Sequence, residues 1–282
     1  MNGRQARRLV MTVVGFLVFA YVVIMVTMYA TQRRVMYPVP REVFMPELEG
    51  AELLKIDGGS DRTVYALYAP APPEAPTVCH FHGNAEQLAS AAAVFGQTLT
   101  QAGVGYYGVE YPGYGLAKEV GPPTETGLYE AAETALRHLH DTLGVPASTT
   151  VLLGCSLGSG VATEMARRGH GSRMILLAPY TSMVDMARTL LPFLPCGLLV
   201  RDRFDTASKA PGIDLPVLIV HGERDEVIPV SMGRKLAEVF PNAMLEILED
   251  RGHNDVLFPD PSRLATRFAA FARGDAAPAN AP

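Results

Sequence analysis

Cysteine is scarce in this chain, and what there is does not form a pattern. Three cysteines in 282 residues cannot all pair with one another, and none stands in a CxxC or histidine-rich spacing, so a metal site is not expected. Clustered basic residues are missing too. No run of Lys and Arg with interleaved aromatics occurs, and the net charge of −5 with a pI near 5.8 argues against nucleic-acid binding. Internal repeats are absent. Cys79 and Cys155 fall on expected buried strands or their ends and read as small core side chains. Cys196 lies in an apolar connection, and its state is open. What remains beyond the N-terminal segment, about 240 residues, suits one α/β domain, and hydrophobic residues make up 48% of the composition.

The N-terminus carries a strong signal. Val10 to Ala30 is an uncharged, almost wholly apolar stretch, preceded by Arg4, Arg7 and Arg8 and followed by Arg33 and Arg34. About 20 apolar residues span a bilayer, whereas a signal peptide has a shorter apolar region of about 7–15 residues and a small-x-small cleavage site. Met28-Tyr29-Ala30 breaks that site, so an uncleaved membrane anchor is expected. The arginines before the stretch, with the α-amino group, favour an N-terminus in the cytoplasm and a catalytic domain on the extracytoplasmic side.

Beyond a proline-containing linker, the pattern alternates between short apolar runs and amphipathic ones. Strands are expected at Glu52–Ile56, Thr63–Tyr68, Thr77–Phe81, Val104–Val109, Val151–Leu153, Met174–Ala178, Val217–Val220 and Leu245–Leu248. Helices are expected at Ala85–Gln101, Thr124–Leu143, after Ser156, at Ser231–Phe240 with Ser231 as N-cap, and from Asp260-Pro261 with Leu264, Phe268 and Phe271 on its buried face. Such alternation implies a mainly parallel sheet covered on both faces, with an antiparallel edge from the first two strands. Sites in these sheets lie at the carboxyl ends of the strands.

Gly154-Cys155-Ser156-Leu157-Gly158 has the G-x-S-x-G form between an apolar strand and a small-residue helix, the context of a nucleophile elbow. A serine nucleophile needs a base, and the base needs an orienting acid. His253, in Gly252-His253-Asn254-Asp255, follows the last expected strand. Asp225 follows the preceding one, just before the apolar Val227-Ile228-Pro229. The order Ser…Asp…His suits this arrangement. Glu223, Glu226 and Asp250 are rival carboxylates but read as solvated; His221 reads as structural, and His138, His140 and His170 as surface residues. Asp255 is either a hydrogen-bonding partner of the site or a loop cap. An oxyanion hole would draw one backbone N–H from Leu157 and the other from Asn84, in the His82-Gly83-Asn84-Ala85 loop, with His82 tying the loop down.

Five motifs now stand in order: Phe81–Ala85, Tyr111-Pro-Gly-Tyr-Gly115, Gly154–Gly158, His221-Gly…Asp225…Ile-Pro229 and Gly252–Asp255. Together they resemble the α/β-hydrolase superfamily, and within it the Bem46-like group with its membrane-anchored ABHD12/13/17-type serine hydrolases, often labelled serine aminopeptidase S33-like. The resemblance runs from about Arg34 to Phe271. It implies an α/β-hydrolase fold and hydrolysis of ester or thioester bonds through an acyl-enzyme, with no cofactor and no metal. Lipid or other acyl substrates are favoured. A serine peptidase is the alternative, and a non-catalytic binding protein on the same fold a further one. The interval from Tyr180 to Leu215 is short for the cap that many relatives carry. It reads as a small lid over an acyl pocket or as ordinary packing at the sheet edge. Arg201, Asp202, Arg203 and Asp205 read as a solvated or salt-bridged turn. The expected organisation is an anchor over residues 1–33, a hydrolase domain over 34–273 and a disordered tail over 274–282.

Overall fold

The structure, a computed structural model, describes residues 2–59, 62–256 and 261–275. The chain opens with one long helix, α1 (Gly3–Met36), apolar and long enough to cross a membrane. The expected strands then appear as β1 (Glu52–Asp57), β2 (Thr63–Ala69), β3 (Thr77–Phe81), β4 (Gly105–Val109), β5 (Thr150–Cys155), β6 (Arg173–Leu177), β7 (Val217–Gly222) and β8 (Ala243–Leu248). They form one sheet in the order β1-β2-β4-β3-β5-β6-β7-β8. β1/β2 and β2/β4 pair antiparallel and every later pair is parallel, so the first two runs make the antiparallel edge.

Strands β3, β4, β5 and β7 are buried along their whole length, as a sheet covered on both faces demands. One face packs on α4 (Glu125–Arg137), α5 (Leu157–Arg167) and α9 (Val230–Val239), which supply Leu128, Leu136, Val161, Met165 and Leu236 to the core. The other packs on α2 (Leu88–Ala91), α3 (Gln97–Gln101) and α10 (Pro261–Arg273), with Phe95, Leu99, Leu264, Phe268 and Phe271 buried. Between β6 and β7 run three short helices, α6 (Met183–Leu190), α7 (Cys196–Leu199) and α8 (Thr206–Lys209).

Several local expectations change. The helix expected from Ala85 starts at Leu88 and passes through a π-helical turn at Ala92–Gly96. The one expected over Thr124–Leu143 is capped by the Thr124 side chain on Gly127 N–H at 2.9 Å and ends in a second π-helical turn at His138–Thr142. Ser231 does not cap α9. Pro229 holds that position without a side-chain bond, because the backbone arrives already fixed from the Asp225–Ile228 turn. His138, His140 and His170 are half-buried rather than at the surface; His140 stacks on His170, which reaches Glu133 at 3.2 Å. All three cysteines are free and buried. The expected start of the last helix at Asp260, and the tail from residue 276 on, lie outside the described residues.

Candidate active site

Ser156 stands at the turn between β5 and α5, with φ 49° and ψ −113°. A non-glycine residue in that region stores about 1–3 kcal/mol of backbone strain. The structure holds it there by a bond from Ser156 N–H to the Leu177 carbonyl at 2.9 Å and by the depth of the turn. The turn is deep because its two glycines leave no side chain in the way. A methyl group on Gly154 would sit 2.5 Å from the Gly158 carbonyl oxygen, and one on Gly158 would collide with the Phe81 backbone. So α5 lies directly on the ends of β3 and β5, and its N-terminus points where the Ser156 hydroxyl is.

The loops after β7 and β8 bring the other two side chains to this hydroxyl. Ser156 Oγ is 3.2 Å from His253 Nε2, and His253 Nδ1 is 2.8 Å from Asp225 Oδ2. Asp225 is buried, and its Oδ1 accepts the N–H groups of Val227 at 2.9 Å and Ile228 at 2.7 Å. Burial alone would raise its pKa; donors from His221, His253 and Ile228 outweigh it and hold the carboxyl well below the usual carboxylate range. His221 lies nearer the site than a purely structural reading expects. Its Nε2 is 2.9 Å from the Ile228 carbonyl and 3.3 Å from Asp225 Oδ2. A carbonyl can only accept, so this nitrogen carries the proton and donates toward both. The rival carboxylates Glu223, Glu226 and Asp250 are exposed, and Asp255 caps its own loop through the Gly252 N–H.

The loop after β3 is fastened from three sides. His82 Nδ1 meets the Gly83 carbonyl at 2.8 Å, and its Nε2 meets Glu110 Oε1 at 3.0 Å. Burial alone would depress the His82 pKa, but the hydrogen bond and charge of Glu110 outweigh it and raise it. Tyr111 donates to the His82 carbonyl at 3.1 Å and Tyr114 to Asn84 Oδ1 at 2.6 Å. The Asn84 amide reaches the Met36 carbonyl at the end of α1. Gly83 N–H is taken by Glu86 at 2.6 Å, whereas among the described residues the N–H groups of Asn84 and Leu157 donate to no protein acceptor. Glu110 and the two tyrosines are what the sequence reading missed. Tyr111–Gly115 marks a turn, but nothing in it says that its side chains reach back to a loop about 30 residues earlier. The one clue is Gly115, where any side chain would collide with the Glu110 carboxylate.

Cys155, beside the serine, faces the core. Its Sγ is 3.3 Å from His80 Nε2 in the core; burial pushes the thiol well up and His80 down to about 3, so both are uncharged.

Ser156 and His253 open into a cavity of about 730 Å³. The Tyr180–Leu215 interval covers it, with Met186, Leu191, Leu194, Cys196 and Leu199 in the wall. One further side of the wall comes from α1, through Met28, Gln32, Val35 and Met36. Arg33 and Gln32 help dock α1 there. Arg33 pairs bidentately with Asp202 at 2.7 and 2.9 Å, so Asp202 is a buried ion-pair partner and not a solvated turn residue. Gln32 donates to the Leu199 carbonyl at 3.0 Å and accepts from Arg201 N–H at 2.8 Å. Asp205 caps α8 through Ser208 N–H at 3.2 Å.

Comparison with known proteins agrees with this architecture. A family model described as serine aminopeptidase, S33, matches residues 72–202. The putative alpha/beta hydrolase L404 of Acanthamoeba polyphaga mimivirus is 32% identical over 179 residues, 62% of this chain and 66% of that protein. Human alpha/beta hydrolase domain-containing protein 17C is 28% identical over 212 residues, 74% of this chain and 63% of that protein. The chain thus spans just under two thirds of the length of these relatives. Among solved structures, the Pyrococcus furiosus esterase Pf2001 superposes with a TM-score of 0.68 at 17% identity, covering 84% of this chain and 98% of that one. A putative hydrolase from Agrobacterium vitis S4 gives 0.62 at 23% identity, covering 79% and 98%. At those identities the two structures speak for the fold. Sheet order, elbow and solved structures together give this chain the α/β-hydrolase fold, and its sequence is similar to the S33 family model and to the domain-containing proteins of type 17.

Proposed function

We propose that the chain is a membrane-anchored serine hydrolase that cleaves carboxylic ester or thioester bonds of acyl substrates. The supporting observation is the hydrogen-bonded series Ser156–His253–Asp225 at the floor of an apolar cavity. His253 Nε2 takes the proton as Ser156 Oγ attacks the acyl carbonyl carbon. The N–H groups of Leu157 and Asn84 hold the resulting oxyanion. The tetrahedral species collapses, the carbonyl–oxygen or carbonyl–sulfur bond breaks, and His253 returns the proton to the leaving alcohol or thiol. Water, activated by the same imidazole, then releases the acid and regenerates Ser156. Asp225 keeps Nδ1 protonated throughout, and its low pKa keeps it a carboxylate.

In this reading residues 1–33 are the anchor and 34–273 the hydrolase unit. Retention of the anchor is supported by the cavity itself, since removal of α1 would take away one wall and the partner of buried Asp202. The arginines before the apolar stretch favour an N-terminus on the cytoplasmic side and the hydrolase unit on the other.

A fluorophosphonate probe tests the nucleophile. It is expected to label the full-length protein, and Ser156→Ala is expected to lose all labelling with an unchanged melting temperature. Labelling that persists in this variant moves the nucleophile elsewhere. The peptidase alternative needs a carboxylate free to meet a substrate amino group. Among the described lining residues the one carboxylate is Glu86, whose Oε2 already accepts the Gly83 N–H. Faster turnover of aminoacyl p-nitroanilides than of p-nitrophenyl acyl esters would overturn the esterase assignment.

A further inference from the structure

The lid touches α1 far from that helix's end. Tyr21, inside the apolar stretch, donates its hydroxyl to the Phe193 carbonyl at 2.9 Å. Met25 and Met28 pack on the small cluster of Val184, Leu194 and Cys196. From Tyr21 to Ala30, the last residue of the apolar stretch, an α-helix rises about 14 Å, and half the hydrocarbon of a bilayer is about 15 Å thick. A lid that reaches Tyr21 therefore reaches the depth of the acyl chains.

The lid is built for that depth. From Leu190 to Val200 it carries no charged residue, and Arg188 and Arg201 bracket it. Arg201 lies over the Tyr29 ring at 5.5 Å, a basic and aromatic pair of the kind that marks a membrane interface. Between them the lid turns Phe193 and Leu198 outward, 61% and 85% exposed, while Leu190, 70% exposed, stands at the cavity rim. Its backbone is largely satisfied from within, as hydrocarbon requires. Pro192 and Pro195 have no N–H, and those of Leu191, Leu194, Cys196, Leu198, Leu199 and Val200 all donate to lid or helix carbonyls. The Phe193 and Leu199 carbonyls accept from Tyr21 and Gln32 of α1.

We propose that the 190–200 segment lies immersed in the same leaflet as the C-terminal half of α1, and that acyl substrates reach Ser156 from the hydrocarbon, along the seam between α1 and the lid. The proposal rests on the hydrolase reading above and narrows its substrates to acyl chains resident in a membrane. The seam has apolar side chains on both banks, Met28 and Val35 on one and Leu194 and Leu199 on the other, and it ends at the serine.

The chain has no tryptophan, so Phe193→Trp places a single fluorophore at the lid tip without touching the backbone carbonyl that Tyr21 holds. The full-length variant is reconstituted in phosphatidylcholine vesicles. Quenching by lipids brominated on their acyl chains, with little quenching by aqueous acrylamide, is the expected result. The reverse pattern overturns immersion. Entry is tested with Phe193→Asp and Leu198→Asp, both outside the cavity wall. Hydrolysis of an acyl ester embedded in the vesicles is expected to fall by about tenfold or more, while hydrolysis of water-soluble p-nitrophenyl butyrate stays at the wild-type rate. Equal loss on both substrates, or loss on neither, overturns the route. A wild-type protein that hydrolyses neither ester defeats the hydrolase reading instead, and the fluorescence result still decides immersion.

Discussion

Two histidine–carboxylate pairs flank the elbow, and they are close to identical in chemistry. His253 and Asp225 meet at 2.8 Å, His82 and Glu110 at 3.0 Å. They differ in what is left over. Both nitrogens of His82 are engaged and its side chain has no exposure, so the pair has no valence to offer a substrate. His253 keeps Nε2 turned to the Ser156 hydroxyl and is 14% exposed. An imidazole saturated and buried braces a loop; the same group with one nitrogen facing a cavity can move a proton. Histidine identity alone says little, and the count of remaining bonds says most.

Substitutions that neutralise each acid separate the two roles. Asp225→Asn leaves the geometry in place but lets His253 adopt the wrong tautomer, so kcat for an acyl ester is expected to drop by about 10⁴-fold, an effect on rate far larger than the loss of Tm that removing its buried charge brings. Glu110→Gln should do the reverse. Loss of charge from a buried pair costs about 3 kcal/mol, hence a fall in Tm of about 6–12 °C, and activity drops only as far as the oxyanion loop loosens. Equal activity losses in the two variants would erase the distinction. His221→Leu sharpens it further. It strips the donor from the Ile228 carbonyl at a cost of about 1–3 kcal/mol. Asp225 keeps its two backbone donors and His253, so kcat should change by less than about tenfold.

The smallest expected effect is one of pH. His82 has its folded pKa raised above the unfolded value of about 6.5, so its contribution is complete below that pH and is lost as pH rises through the folded value. The Tm gap between wild type and Glu110→Gln should therefore be widest near pH 6 and close on the alkaline side. Asp225 is depressed, so its contribution is intact above about pH 3.9 and is lost only as pH falls through the folded value. The two pairs should fail at opposite ends of the pH scale. A gap constant from pH 6 to pH 9 in thermal melts would show that Glu110 acts without the His82 charge.

Much of this was legible in the chain because it is local. Apolar runs bounded by turn residues located the strands, and G-x-S-x-G located the elbow, since the turn itself demands small residues at fixed offsets. The three side chains now found together each end a strand, and parallel sheets gather strand ends. What stayed hidden is long-range. Glu110 meets a partner 28 positions away, and Gln32 meets Arg201 across 169. No periodicity encodes such pairs. Ser231 misled for a related reason: an N-cap residue is favoured when a helix must start itself, and α9 is started by the turn before it.

The docking of α1 on the lid ties manufacture to location. A chain trimmed to begin at Tyr37, the usual shortcut to a soluble sample, would keep its sheet and its elbow. It would also strand Asp202 without a counterion and leave a greasy trench where a chamber should be. In the proposed reading, the cavity is complete only once the first helix is in place and the lid has settled against it.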